Sequence, residues 1–188
     1  MTRIPARILL SAPFLCACLL LPWSLAKAAQ TLQVSLTVGG IGLECASSQV
    51  FPGVLGAAEA FSLGSNLTVE SDPGTGQPTG QIRVRPIRIM KQLDECTPLL
   101  TQALVQGQTV EVIFRFFRQV PGGEVEHYFT ISLPDARVSS QSIVSPDTLD
   151  PASVNRPPLE SVSFIFSRIT WTYEPTGNGF EHDFTTLR

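Results

Sequence analysis

The chain has 188 residues, with 13 lysines and arginines against 16 aspartates and glutamates, a formal net charge of −3 with histidines neutral. No lysine or arginine occurs between Ala28 and Arg83. Such a surface speaks against nucleic-acid binding, which depends on clustered positive charge.

The first element is an export signal. Arg3 and Arg7 precede the apolar run "ILLSAPFLCACLLLPWSLA", and Ala26-Lys27-Ala28 supplies an A-x-A cleavage pattern. About twenty apolar residues would suffice to span a membrane. Pro13, Pro22 and the small-residue exit favour a cleaved secretory signal over residues 1–28 instead. The expected mature domain is 29–188, one unit with a real core and no membrane segment of its own. Losing Arg3, Arg7 and Lys27 leaves ten basic residues against 16 acidic ones, a net charge of −6. A secreted or periplasmic location follows from this reading.

The remainder reads as β-structure with one short helix. "TLQVSLTVGG" alternates, with Leu32, Val34, Leu36 and Val38 on one face. "GVLGAAEAFSLG" is a less regular strand, and "SNLTVESDPGTGQPTGQ" (65–81) is a long exposed loop of turn formers and acidic residues. "IRVRPIRIMKQL" resumes alternation, with Pro86 marking an edge or bulge. A helix is expected from Pro98 to Gln106, with Asp94 or Thr97 as N-cap and Gly107 closing it. Its apolar stripe is Leu99, Leu100, Ala103 and Leu104. "TVEVIFRFFRQV" and "EVEHYFTISLPDARVSS" form a hairpin about Pro121-Gly122-Gly123. After the loop "SPDTLDPASVNRPP" comes "PLESVSFIFSRITWTYEP" (158–175), where Val162, Phe164 and Phe166 keep one register and Ile169, Trp171 and Tyr173 the other. The slip at Ser167-Arg168 predicts a strongly curved, bulged strand. "FEHDFTTLR" adds a last short strand. Together these predict a mainly β fold, an antiparallel barrel or sandwich from about Thr31 to Phe184.

Candidate sites are few. Cys45 and Cys96 remain after signal removal, and an exported domain allows them one bridge, the alternative being two separate buried thiols. Arg83, Arg85, Arg88 and Lys91 form the one basic cluster, a solvated strand face or a subunit-contact patch. His182 beside Asp183 lacks a G-x-S-x-G elbow, and a nucleophilic cysteine with His127 is less expected than a bridge. Closely set metal ligands, a P-loop and a dinucleotide fingerprint are all missing, so no catalytic residue, cofactor or metal is expected.

Three segments resemble the Hcp family, the tube proteins of type VI secretion. "GQIRVRPIRIMKQLDECTPLL" is similar to the family's strand and helix entry, through Asp94, Thr97 and Pro98. "HYFTISLPDARVSS" matches a strand ending in Val138, Ser139 and Ser140, and the late strand with Trp171 and Tyr173 matches another. The resemblance spans about Gly80 to Pro175. It implies a small antiparallel β-barrel with a helix beside it and no enzymatic activity. It also implies self-association into six-membered rings that stack as a tube, some holding small secreted effector proteins in the pore. A cleaved signal departs from the family pattern, which leaves an exported binding module on the same barrel as the alternative.

Overall fold

The structure, a computed structural model, describes residues 30–43, 45 and 56–185. Residues 1–29, with the expected signal at 1–28, lie outside the described residues, as do residues 53–55 of the second expected strand.

Strand β1 (Gln30–Val38) turns at Gly39-Gly40 into the short β2 (Ile41–Gly42). β3 (Ala58–Gly64) leads into an exposed segment carrying β4 (Leu67–Thr68) and β5 (Arg83–Val84), and β6 (Ile87–Gln92) returns beside β3. Helix α1 (Thr97–Gln106) precedes the long hairpin of β7 (Thr109–Gln119) and β8 (Val125–Val144). Then follow β9 (Leu159–Ile165), β10 (Arg168–Tyr173) and β11 (Asn178–Asp183). Six strands close on themselves in the order β8-β7-β1-β3-β6-β9 and back to β8, every pairing antiparallel. Among the described residues, the expected antiparallel barrel with one short helix is the observed architecture.

Closure follows from the alternating residues. Val34, Leu36, Ile87, Ile89, Val112, Phe114, Leu133, Val162 and Phe164 are all buried in one core cluster. Side chains of this size fill a barrel of so few strands without leaving a channel. Phe114 and Phe164 meet edge to face, 6.3 Å between centroids, and burying each contributes about 1.5–3 kcal/mol.

The phase slip in 158–175 has a topological cause. β9 pairs with the second half of β8 (Arg137 to Val144), whereas β10 pairs with the first half (Phe129 to Ser132) and carries β11 on its other side. The expected single bulged strand is therefore two strands. The chain changes face where it leaves the closed barrel for an appended three-stranded layer. Asp135 on β8 fixes that corner: its carboxylate accepts the Ser167 hydroxyl and, at 3.2 Å, the Arg168 N–H.

The helix also differs in detail. Cys96 occupies the N-cap without a side-chain bond. Asp94 instead accepts the Cys96 N–H at 2.9 Å, while Thr97 accepts the Asp94 N–H at 3.1 Å, so both candidates tie the entry turn. Gly107 ends the helix in the left-handed region, φ 63°, where a side chain would be strained. Leu100 and Ala103 are buried, but Leu99 faces solvent, because the stripe is only as wide as the barrel it covers.

Candidate functional site

The basic cluster read from the sequence does not stay together. Alternation along β6 sends Ile87, Ile89 and Lys91 inward and Arg88, Met90 and Gln92 outward. Lys91 is fully buried, so it is no part of a surface patch or subunit contact. Its Nζ lies 2.5 Å from Glu160 Oε1 and 2.7 Å from Asp94 Oδ1. Glu160, also buried, accepts the Thr97 hydroxyl at 2.6 Å and the Gln141 amide at 2.6 Å. Gln141 in turn accepts the Thr101 hydroxyl at 2.7 Å. A buried charge survives only when paired and fully hydrogen-bonded, and this network meets that demand. Sequence reading missed Glu160 and Gln141. Glu160 shares the inward face with Val162 and Phe164, a carboxylate on an apolar period, and that was the available signal.

Beside this network Cys45 and Cys96 are joined, with sulfurs 1.92 Å apart and a sequence separation of 51. The bridge ties the helix entry to the segment after β2.

Arg83, Arg85 and Arg88 remain outside. The segment 65–81, expected as a loop, is the greater part of a β-arm spanning 65–86. β4 pairs with β5, Thr79 N–H donates to Glu70 O at 2.8 Å, and Asp72 N–H donates to Gln77 O at 2.9 Å. Arg83 forms an ion pair with Glu70 along this arm. At its tip the Asp72 carboxylate accepts Gly74 N–H at 2.7 Å and Thr75 N–H at 2.9 Å. These bonds, Thr75's first, hold the Asp72 carboxyl below its ordinary value. At the arm's base Arg85 and Arg88 line an open groove with Asn66, Ser139, Ser140 and Ser163.

The histidines do not assemble a catalytic pair. Asp183 accepts the Thr185 hydroxyl at 2.6 Å and its N–H at 2.8 Å, which lowers its pKa, while the neighbouring His182 stacks on Phe180 and meets Phe184 edge to face. His127 lies against Phe117 and shares a hydrogen bond with Thr130 at 3.0 Å. On β10 and β11, Trp171 stacks on Phe180, which is 61% exposed, and β11 has no partner beyond β10 among the described residues. Among those residues no group of three His, Cys, Asp or Glu could hold a metal, and no helix is long and apolar enough to cross a membrane.

Comparison with known proteins gives a consistent result. The family model described as "Type VI secretion system effector, Hcp" matches residues 57–173. The "Major exported protein" of Pseudomonas aeruginosa is 35% identical over 118 residues, 62% of this chain and 69% of that protein. A crystal structure of an Hcp protein superposes with a TM-score of 0.73 at 23% identity, covering 85% of this chain and 100% of that one. The secreted protein Hcp3 from Pseudomonas aeruginosa gives 0.64 at 22% identity, covering 84% and 100%. At those identities the two structures speak to the fold.

Proposed function

This chain belongs to the Hcp family of type VI secretion proteins, and we propose that it is a non-enzymatic, exported structural subunit that assembles head to tail into a six-membered ring. The observation that carries the reading is the family match across 57–173, the span that builds most of the closed barrel and its helix. The name of the Pseudomonas aeruginosa relative, "Major exported protein", supports secretion. On this reading residues 1–28 are removed, so amino-terminal sequencing of protein recovered outside the cytoplasm begins at Ala29.

A closed ring of identical subunits needs two different complementary patches on each. The arm with Glu70, Asp72 and Arg83 supplies a charged one. The open edge of β11, with Phe180 beside it, supplies the other, since such an edge is normally paired or covered. Small secreted effector proteins are the expected cargo of the pore. Sedimentation of the purified protein at micromolar concentration and low salt tests the assembly, with a mass of six subunits expected and dissociation as salt screens the charged patch. A strict monomer would favour the exported binding module on the same barrel.

A further inference from the structure

Arg85 and Arg88 bring two guanidiniums to one groove without a counter-ion. Arg83, Lys91 and Arg118 each have a carboxylate partner, whereas neither Arg85 nor Arg88 forms an ion pair among the described residues. Both line one groove of about 480 Å³, and no acidic side chain lines it with them. That volume falls within the range of sites for small ligands.

The remaining lining groups are hydrogen-bonding. Arg88 Nε donates to Ser163 Oγ at 3.4 Å, which leaves its two terminal nitrogens free. Ser139 donates its hydroxyl to Ser163 O at 3.1 Å and so braces the wall. The Ser140 hydroxyl and Asn66 amide are exposed, without a side-chain partner among the described residues, and free to donate. Arg85 N–H donates to Asn66 O at 3.1 Å, which closes the arm's base and holds both residues at the groove.

The geometry points to a binding site for a dianionic tetrahedral oxyanion, a phosphate or sulfate group, held between Arg85 and Arg88. Charge decides the class. Two guanidiniums without a counter-ion are matched by one dianion, and a single carboxylate would leave one unmatched. Guanidiniums also engage phosphate and sulfate oxygens through paired N–H donors, and the neutral hydroxyl and amide complete the shell. The ligand is either the free ion or the terminal group of a phosphate monoester, since a sulfate ester carries only one charge.

Calorimetric titration of the purified protein with inorganic phosphate, sulfate and a sugar phosphate, at pH 7.5 and constant ionic strength, tests the assignment. The expected result is one saturable site per chain, weakened about tenfold by Arg85→Ala or Arg88→Ala and unchanged in Arg156→Gln. Tighter binding of the sugar phosphate than of free phosphate identifies an ester as the ligand, and the reverse identifies the free ion. Lowering the pH to 5 should weaken phosphate but not sulfate, because a phosphate monoester loses its second charge near pH 6 and the free ion loses it at slightly higher pH, whereas sulfate keeps both. Arg88→Lys, which keeps the charge, should retain part of the affinity and controls for a folding defect. Heat that is non-saturable, or equal in Arg156→Gln and Arg85→Ala, would overturn the site. So would a groove that binds only when the protein is dissociated to monomer, since a neighbouring copy would then be its occupant.

Discussion

The helix entry and the β-arm are only a few residues apart in sequence, yet they treat charge in opposite ways. At the helix entry Lys91, Glu160 and Thr97 are withdrawn from solvent, and a disulfide lies beside them. Along the arm Glu70 and Arg83 stay exposed and Asp72 is half-buried, and backbone ladder bonds hold the segment in shape. In the first region electrostatics is bound up with whether the barrel folds. In the second it is screened by water and free to meet a partner. The difference teaches that charged residues of one sequence neighbourhood divide by the pleat of β6, not by their spacing.

Breaking the buried side should have the largest effect. Glu160→Leu strands Lys91 with Asp94 alone and should cost about 3–5 kcal/mol in urea unfolding. The double variant Lys91→Met with Glu160→Leu sharpens the point, since an apolar pair of similar volume should recover most of that loss. A loss under about 1 kcal/mol in the single variant would show that the pair is not a structural element.

Opening the disulfide comes next. Joining residues 51 apart restricts the unfolded chain, so Cys96→Ser should destabilise by about 2–4 kcal/mol. In protein lacking residues 1–28, thiol labelling under denaturing conditions should find two thiols per chain after reduction and none before it. Free thiols in protein taken from outside the cytoplasm would contradict the bridge.

The smallest effect belongs to the arm. The folded Asp72 carboxyl titrates below its unperturbed value of 3.8, because the Thr75 and Gly74 N–H groups favour its charged form. A depressed pKa contributes stability that is fully present above the unfolded value and is lost as pH falls through the folded one. Acid titration followed by NMR should therefore move the Gly74 and Thr75 amide signals with a midpoint below 3.8, while the barrel stays folded. A midpoint at or above 3.8 would remove the capped tip.

The barrel was legible in the sequence because alternation is strict where one face is buried, as in Leu32, Val34 and Leu36 on β1 or Val162 and Phe164 on β9. The helix was legible through Pro98 and Gly107, residues whose backbone preferences are local. The ladder of the arm was not, because Thr, Pro, Gly and Asp in 65–81 signal turns, and its pairing rests on backbone groups that no side chain announces. Lys91 was misplaced for a related reason. Four cations at short spacing suggest a patch, but the inward face of β6 is set by Ile87 and Ile89, and Lys91 has to follow them. Its partner Glu160 lies far along the chain, where pairing with β6 alone brings it opposite. The Arg85–Arg88 groove likewise needs Ser139, Ser140 and Ser163 from β8 and β9, which no local pattern links to it.

The division of β8 bears on the order in which the protein is built. Its partner β7 is a hairpin neighbour, formed at little entropic cost, and β9 and β10 then have a template waiting for them. β1 is placed otherwise: β2 and β3 follow it closely, but its longest pairing, from Gln30↔Arg118 to Val38↔Val110, is with β7. Such non-local pairings set the pace at which β-rich domains fold. If residues 1–28 direct export as proposed, the chain crosses the membrane from its amino end, and β1 then waits beside β3 with one edge open until the helix and β7 have emerged.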